Sequence, residues 1–234
     1  MTDRLLWLSQ RLGKAEYGQT IGDLGCGNGA YSIALAKNGY QVTGFTWDVN
    51  DVIKAESRVP KKFRKKVTFI NQDLRNLNKI HSNSFDILIN FENIEHILND
   101  IQLMKDMERI LKPGGLLFLT TPYKFFHAIS KEDLGPYETI ENGWHVRRGY
   151  TKSMLRELCS GANLQIEEIS FCSGFFSQKI TKVQRALTKR FGLHIAWGCT
   201  LFFRPIPILL DPILRKLFHY TDYSICLIAQ KTSH

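Results

Sequence analysis

Short apolar runs alternate with amphipathic stretches along most of the chain. Thr20 to Leu24, Gln41 to Phe45, Val67 to Asn71, Ser84 to Phe91 and Leu116 to Thr120 read as strands. The fourth run is almost continuously apolar, which predicts a strand buried on both faces of a parallel sheet. Helical spacing lies between the runs. Tyr31, Ile33, Ala34 and Leu35 predict a helix ended by Gly39; Val49, Val52, Ile53 and Val59 predict another; Ile101 to Leu111 predicts a third. Leu5, Leu6, Leu8 and Leu12 suit a short helix covering the sheet edge ahead of the first strand. Thr151 is placed to cap a helix through Ser160, with Gly161 at its end. Leu164 to Ser170 and Tyr223 to Gln230 supply two further strands. Strand–helix alternation over 234 residues predicts one doubly wound α/β domain, residues 1–234.

Two stretches break the alternation. Residues 121–150 are irregular and aromatic, and a long irregular segment in a compact domain is usually functional, so a substrate lid is expected there. Residues 172–220 read as an insertion between strands six and seven. Gln178 to Phe191 fits a basic amphipathic helix, and His194 to Phe218 is apolar and interrupted by prolines. Such an insertion can lie in a bilayer interface, wall the site or form a homodimer contact; the wall or the dimer contact is preferred.

Composition sharpens little. The net charge of +9 comes from 31 basic and 22 acidic residues. It suits nucleic acid, an acidic substrate, an anionic membrane or a merely soluble surface. The run Lys61 to Lys66 precedes a strand and reads as a solvated helix end. Five scattered cysteines without a C-x-x-C pair read as reduced thiols in a cytoplasmic protein, peripheral to the inner face of the membrane if the insertion meets lipid. No signal-peptide layout is read at the N-terminus. Leu193 to Leu210 comes nearest to a spanning segment, but it holds His194, Arg204, Pro205 and Pro207.

The chemistry concentrates at Ile21-Gly-Asp-Leu-Gly-Cys-Gly-Asn-Gly-Ala-Tyr31, where an apolar run meets three glycines and then a helix start. Glycine there admits positive φ and close approach of backbone to a ligand. Exposed N–H groups at the helix start favour polar or anionic atoms. Gly25, Gly27 and Ala30 also fit a dinucleotide fingerprint. Asp23 argues the other way: a carboxylate at the strand tip, aimed at the ligand-holding turn, repels a pyrophosphate and attracts a sulfonium and an ammonium.

The order D-x-G-x-G-x-G resembles the nucleotide-binding loop of the class I (Rossmann-like) methyltransferases. Other pieces match as well: Asp73 past the third strand, F-D-I-L-I-N followed by Glu95-His96, and L-K-P-G-G at Leu111 to Gly115. The resemblance spans Ile21 to about Phe171 and the last strand. It implies a seven-stranded, mostly parallel sheet with an antiparallel last strand and helices on both faces. It also implies S-adenosyl-L-methionine as cofactor, S-adenosyl-L-homocysteine as product, and in-line transfer of the sulfonium methyl. In the family an acid after strand two bonds the ribose. Here Thr46 stands at that place, followed by Trp47 and Asp48, so either Thr46 departs from the pattern or Asp48 serves. The bland alternative makes Asp48 a helix cap. Trp47 is suited to stack on adenine, and Asp73 with Leu74 to meet its amine. Asp23, Gly25, Cys26, Gly27 and Asn90 complete the implied cofactor set.

On the acceptor side, His145, His96 and Tyr150 are the catalytic candidates, with Glu95, Tyr123, Arg147 and Arg148 binding substrate. Histidine suits proton removal from a hydroxyl or phenol, and arginine suits an acidic acceptor group. No metal is expected. The favoured reading is O-methylation of an apolar, lipid-linked or secondary-metabolite small molecule. C- or N-methylation, RNA methylation and a non-enzymatic cofactor-binding subunit remain alternatives. Nucleic acid is disfavoured, because no N/D-P-P-Y tetrapeptide follows strand four and no RRM or KH signature is present.

Overall fold

The buried strand Phe85–Phe91 (β4) sits at the centre of the architecture, beside Thr20–Leu24 (β1). The computed structural model describes residues 2–128 and 134–233. Within them, a seven-stranded sheet runs in the order β3-β2-β1-β4-β5-β7-β6. Its other strands are β2 (Gln41–Thr46), β3 (Val67–Asn71), β5 (Leu111–Pro122), β6 (Leu164–Cys172) and β7 (Ser224–Lys231). The β2–β1, β3–β2, β1–β4 and β4–β5 pairs are parallel, while β7 runs antiparallel to both β5 and β6. Strand order reverses between β1 and β4, and such a switch point opens a crevice at the carboxyl edge of the sheet.

Each face of the sheet carries its own apolar layer. On one face α4 (Asp100–Ile110) and α5 (Lys152–Gly161) bury Leu103, Met107, Leu155 and Leu158 against Leu88 and Leu117. On the other, α1 (Thr2–Ser9), α2 (Ala30–Lys37) and α3 (Val49–Arg58) bury Trp7, Leu35 and Ala55 against Ile21 and Ile89. The caps agree with local sequence. Asn99 accepts from Gln102 N for α4, and Thr151 accepts from Met154 N for α5. Arg4 of α1 pairs with Glu92 just past β4 and donates to Ser224, which ties the first helix to the carboxyl edge.

One boundary differs from the sequence reading. The L-K-P-G-G stretch is the start of β5 rather than a turn ahead of it. Leu111 pairs with Phe85, and pairing then jumps to Ile87 with Leu116, so residues 112–115 bulge out of the ladder. Only glycine fits at 115, where a Cβ would lie 2.8 Å from the Lys112 carbonyl oxygen.

The insertion is three helices, α6 (Phe175–Phe191), α7 (Leu193–Leu201) and α8 (Pro205–Phe218). Pro205 and Pro207 fall in the first turn of α8, where a missing N–H costs nothing, so they start a helix instead of breaking one. The buried carboxylate of Asp211 accepts from the backbone N–H groups of Phe176 and Ser177, capping α6 from α8. The basic run at 61–66 forms a short helical turn and an exposed connection, as a solvated segment would.

Candidate functional site

The turn after β1 is built from three left-handed glycines: Gly25 (φ 85°), Gly27 (φ 48°) and Gly29 (φ 72°). A Cβ on Gly25 would strike the Asn93 side chain at 2.4 Å, whereas one on Gly27 would meet open space. The turn is pinned to β2, because the N–H groups of Gly25 and Cys26 both donate to the Phe45 carbonyl at 2.9 Å. Backbone at Gly27 is therefore rigidly held and open to close approach. The Cys26 side chain turns the other way, into the apolar layer under α2 and α3, so only its backbone can serve a ligand.

Asp23 does not stand open to the turn as the sequence suggested. It is 2% exposed, and its Oδ2 accepts the Ser32 hydroxyl at 2.5 Å. Gly29, the N-terminal flank of α2, has no side chain with which to cap, and Asp23 does that work from the strand tip. Burial pushes its carboxyl up to about 7, against the opposing pull of the Ser32 hydroxyl and N–H.

Asn90 is the other buried polar group at this crevice. It is fully buried, its Nδ2 donates to the Leu24 carbonyl at 3.0 Å, and its Oδ1 has no partner among the described residues. The Leu24 bond fixes which amide atom points which way. An orphaned acceptor beside an open, glycine-lined backbone fits an ammonium-bearing ligand.

At the end of β2, Thr46 is buried and Trp47 is 67% exposed, its ring within reach of Gly143 in the lid. Asp48 caps α3, accepting from Asn50 N at 2.8 Å. Asp73 is committed to Arg75, which donates to both carboxylate oxygens at 2.9 Å, and these bonds hold its carboxyl below the usual range. An adenine contact through Asp73 would have to share the carboxylate with that guanidinium. A 160 Å³ cavity lies beside it, between Leu74, Leu98, Leu103 and Glu141. Glu141 pairs with Arg75 and accepts from Leu98 N at 2.6 Å, so the 134–150 segment borders this side of the crevice.

The acceptor side converges on three residues. Glu95 follows β4, is fully buried, and accepts the Thr121 hydroxyl on Oε2 at 3.0 Å. Its Oε1 has no hydrogen-bond partner among the described residues and lies 4.0 Å from His96 Nε2 and 3.9 Å from His145 Nε2. The two imidazoles meet edge to face, ring centres 4.6 Å apart. The lid is fixed here by Val146 N, which donates to the Glu95 carbonyl at 3.0 Å. Burial, reinforced by the Glu92 charge, raises the Glu95 carboxyl, and burial lowers His96.

Three acceptor-side candidates are placed elsewhere. Tyr150 is a core residue, fully buried, with its hydroxyl 2.8 Å from Asp100 Oδ2, and burial raises its phenol. Arg147 pairs with Asp100 and donates to the Ile97 and Leu98 carbonyls. Arg148 donates to the Phe126 carbonyl and stacks on the Phe126 ring. Arg147 is spent on these contacts, and Arg148 holds the segment to Phe126 with its Nε left without a hydrogen-bond partner among the described residues. Tyr123 is half-buried, between Phe125 and Phe171. Sequence reasoning did not name Asn93 under the turn, Thr121 behind Glu95, or the Arg75–Glu141 pair. It also expected no metal, because the sequence has no H-E-x-x-H and no carboxylate cluster spaced for magnesium; the fold brings the ligand atoms of Glu95, His96 and His145 within 4.8 Å of one another.

A cavity of about 930 Å³ lies away from this chemistry. It runs between α1 and the insertion, among Leu6, Trp7, Phe171, Ile180, Trp197 and Ile208, and touches the glycine turn only at Asn28 and Ala30.

A family model described as a methyltransferase domain matches residues 22–119, from β1 through most of β5. The ubiquinone biosynthesis O-methyltransferase of Pseudomonas paraeruginosa is 30% identical over 173 residues, covering 71% of this chain and 72% of that one. The enzyme of that name from Actinobacillus pleuropneumoniae serotype 7 is 29% identical over 162 residues, covering 65% and 68%. Among solved structures, a phosphoethanolamine N-methyltransferase from Haemonchus contortus, in complex with S-adenosyl-L-methionine, superposes with a TM-score of 0.69. It is 20% identical, over 98% of this chain and 52% of that one. The chain belongs to the class I S-adenosylmethionine-dependent methyltransferases. It is an enzyme with S-adenosyl-L-methionine as cofactor, and the open Gly27 backbone and the unpaired Asn90 oxygen suit the amino-acid end of that molecule.

Asp23 makes a pH prediction. Its folded-state value of about 7 exceeds the model-compound value of 3.8, so between them the unfolded chain is ionised and the folded one is not. This group therefore costs stability as pH rises through that window. Denaturant unfolding of ligand-free protein at pH 5 and pH 8 is expected to show that Asp23→Asn loses about 1–4 kcal/mol less than the wild type. An equal loss in both contradicts a buried, proton-holding Asp23.

Proposed function

We propose that this enzyme moves the cofactor's methyl group to a hydroxyl of an apolar or lipid-linked small molecule. The observation that carries the reading is the cluster of Glu95, His96 and His145, gathered under the lid beside the cofactor crevice. When bound, the sulfonium supplies an electrophilic methyl group. The chain's own residues do the rest. Asn90 and the Gly27 backbone hold the amino-acid end of the cofactor, and the lid, tied down by Arg147 and Glu141, excludes water. His145 and His96 face the acceptor oxygen and manage its proton. The names of the two ubiquinone O-methyltransferases support a hydroxyl acceptor of this kind.

The insertion rests on an anionic membrane surface in this reading, at the inner face, where a reducing cytoplasm suits five free thiols. Residues 175–218 carry eight basic residues against Asp211 alone, a net +7 within the chain's +9. Their outer side shows Phe202 at 85%, Leu209 at 67%, Leu217 at 65% and Phe218 at 71% exposure. A wall over the site would turn these groups inward. No helix among the described residues is long and apolar enough to cross a bilayer, and α7 and α8 bend by 59°. An amphipathic layer beside cationic residues fits an interface.

Two measurements test these points. With radiolabelled cofactor and cell extract, label is expected in the organic-solvent phase. His145→Ala should lower the rate about 100-fold while adenosylhomocysteine binding is kept; label found only in RNA overturns the proposal. The protein should float with vesicles containing phosphatidylglycerol, less so in high salt, and should lose this in a Leu209→Glu, Phe218→Glu double variant. Equal flotation of both proteins, or a salt-insensitive homodimer buried through these residues, rules out the membrane.

A further inference from the structure

The acceptor-side cluster contains a polar atom that proton management does not explain. Glu95 is fully buried, one of its oxygens accepts from Thr121, and the other faces two imidazole nitrogens at 3.9 and 4.0 Å without bonding to either. A buried carboxylate oxygen left without a donor is costly, by about 1–3 kcal/mol or more for a charged group, so something is normally present to satisfy it. The gaps are too long for hydrogen bonds and slightly wide for a bare coordination triangle. Bonds of about 2.0–2.1 Å in a tetrahedral site place ligand atoms about 3.3–3.4 Å apart. The two edges to Glu95 must close by about 0.6 Å and the edge between the histidines by up to about 1.4 Å, through rotation of the two partly exposed histidine rings.

We propose that Glu95 Oε1, His96 Nε2 and His145 Nε2 bind one divalent first-row transition metal ion of the zinc type. Two imidazoles and one carboxylate are the donor set such ions prefer, whereas magnesium and calcium take oxygen. Three protein ligands leave a coordination position open, on the side where the histidines are partly exposed. The inner side is closed by Glu95, whose carboxylate is oriented by Thr121 on one oxygen and whose backbone is tied to the 134–150 segment by Val146 N. Fixing a ligand from behind in this way is how proteins hold metal sites in shape. His145 arrives on the lid, so the ion would also clamp the lid to the end of β4.

The proposal rests on the functional reading only for what fills the open position: the acceptor hydroxyl. Coordination there acidifies the O–H bond, whose proton leaves to solvent water. The oxygen then forms the bond to the methyl carbon, while the S–CH3 bond breaks and its electron pair stays on sulfur. In this form the two histidines act as ligands, and the ion takes over the management of the proton.

Chelator-stripped full-length protein, titrated with Zn2+ and dialysed, is expected to retain one equivalent per chain by elemental analysis. Glu95→Gln and His145→Ala should lose it, and His127→Ala, a change elsewhere on the surface, should keep it. Co2+ in place of Zn2+ should give visible absorption bands in the wild type that His145→Ala lacks. His145 sits on a half-exposed loop, so His145→Ala should fold, which far-ultraviolet circular dichroism checks. No retained zinc in the wild type, or retention equal in His145→Ala, overturns the proposal. Titration of the same samples with adenosylhomocysteine separates the two claims. Adenosylhomocysteine binding without zinc uptake removes the ion and leaves the methyltransferase, and zinc uptake without adenosylhomocysteine binding does the reverse.

Discussion

If the cofactor lies at the tip of β1 as proposed, it is met there by bare backbone, which glycine in a left-handed turn presents at least cost. That requirement orders the neighbourhood. Gly25 is pressed against Asn93, Gly29 leads into α2, and Gly27 is left facing open space. The two N–H bonds to Phe45 stop the turn from relaxing. Because β1 lies at the point where strand order reverses, the same crevice receives the ends of β2, β3 and β4, each bringing one side of the site. Everything distal, including the lid and the insertion, is arranged around this fixed edge.

Carboxylates recur as fastenings. Asp23 takes the place of a missing cap on α2, Asp211 caps α6 from another helix, and Glu92 anchors Arg4. Glu92 is matched by a paired cation, while burial outweighs the aimed donors at Asp23 and Asp211 and raises both carboxyls. Glu95 departs from that pattern: one of its oxygens has a donor and the other points into a space bounded by two histidines. A group so unlike its neighbours marks the place where structure yields to chemistry.

Much of this was legible in the sequence, for physical reasons. Strand positions followed from apolar runs because parallel strands are buried on both faces, and the glycine turn was legible because glycine adopts those φ values at least cost. Side-chain commitments were not legible. Tyr150 and Arg147 read as acceptor-side groups, since an aromatic hydroxyl and a guanidinium in an irregular loop look available. Both are taken by Asp100, whose role only the fold reveals. Asp73 is taken by Arg75 two positions on, a local surface contact that periodicity does not register. The cluster of Glu95, His96 and His145 joins two distant stretches, so no spacing rule signals it. Pro205 and Pro207 read as interruptions but begin a helix, because proline in a first turn loses no bond.

The most direct measurement is calorimetric titration of adenosylhomocysteine into the wild type and into Gly27→Ala. A methyl group at 27 meets no protein atom within 4 Å, so the fold should tolerate it apart from about 1 kcal/mol of left-handed strain. The wild type should bind at one site, and the variant should bind at least about tenfold more weakly, a difference of about 1.4 kcal/mol. Equal affinity in the two proteins would show that the cofactor does not lie against this backbone, and would contradict the site described.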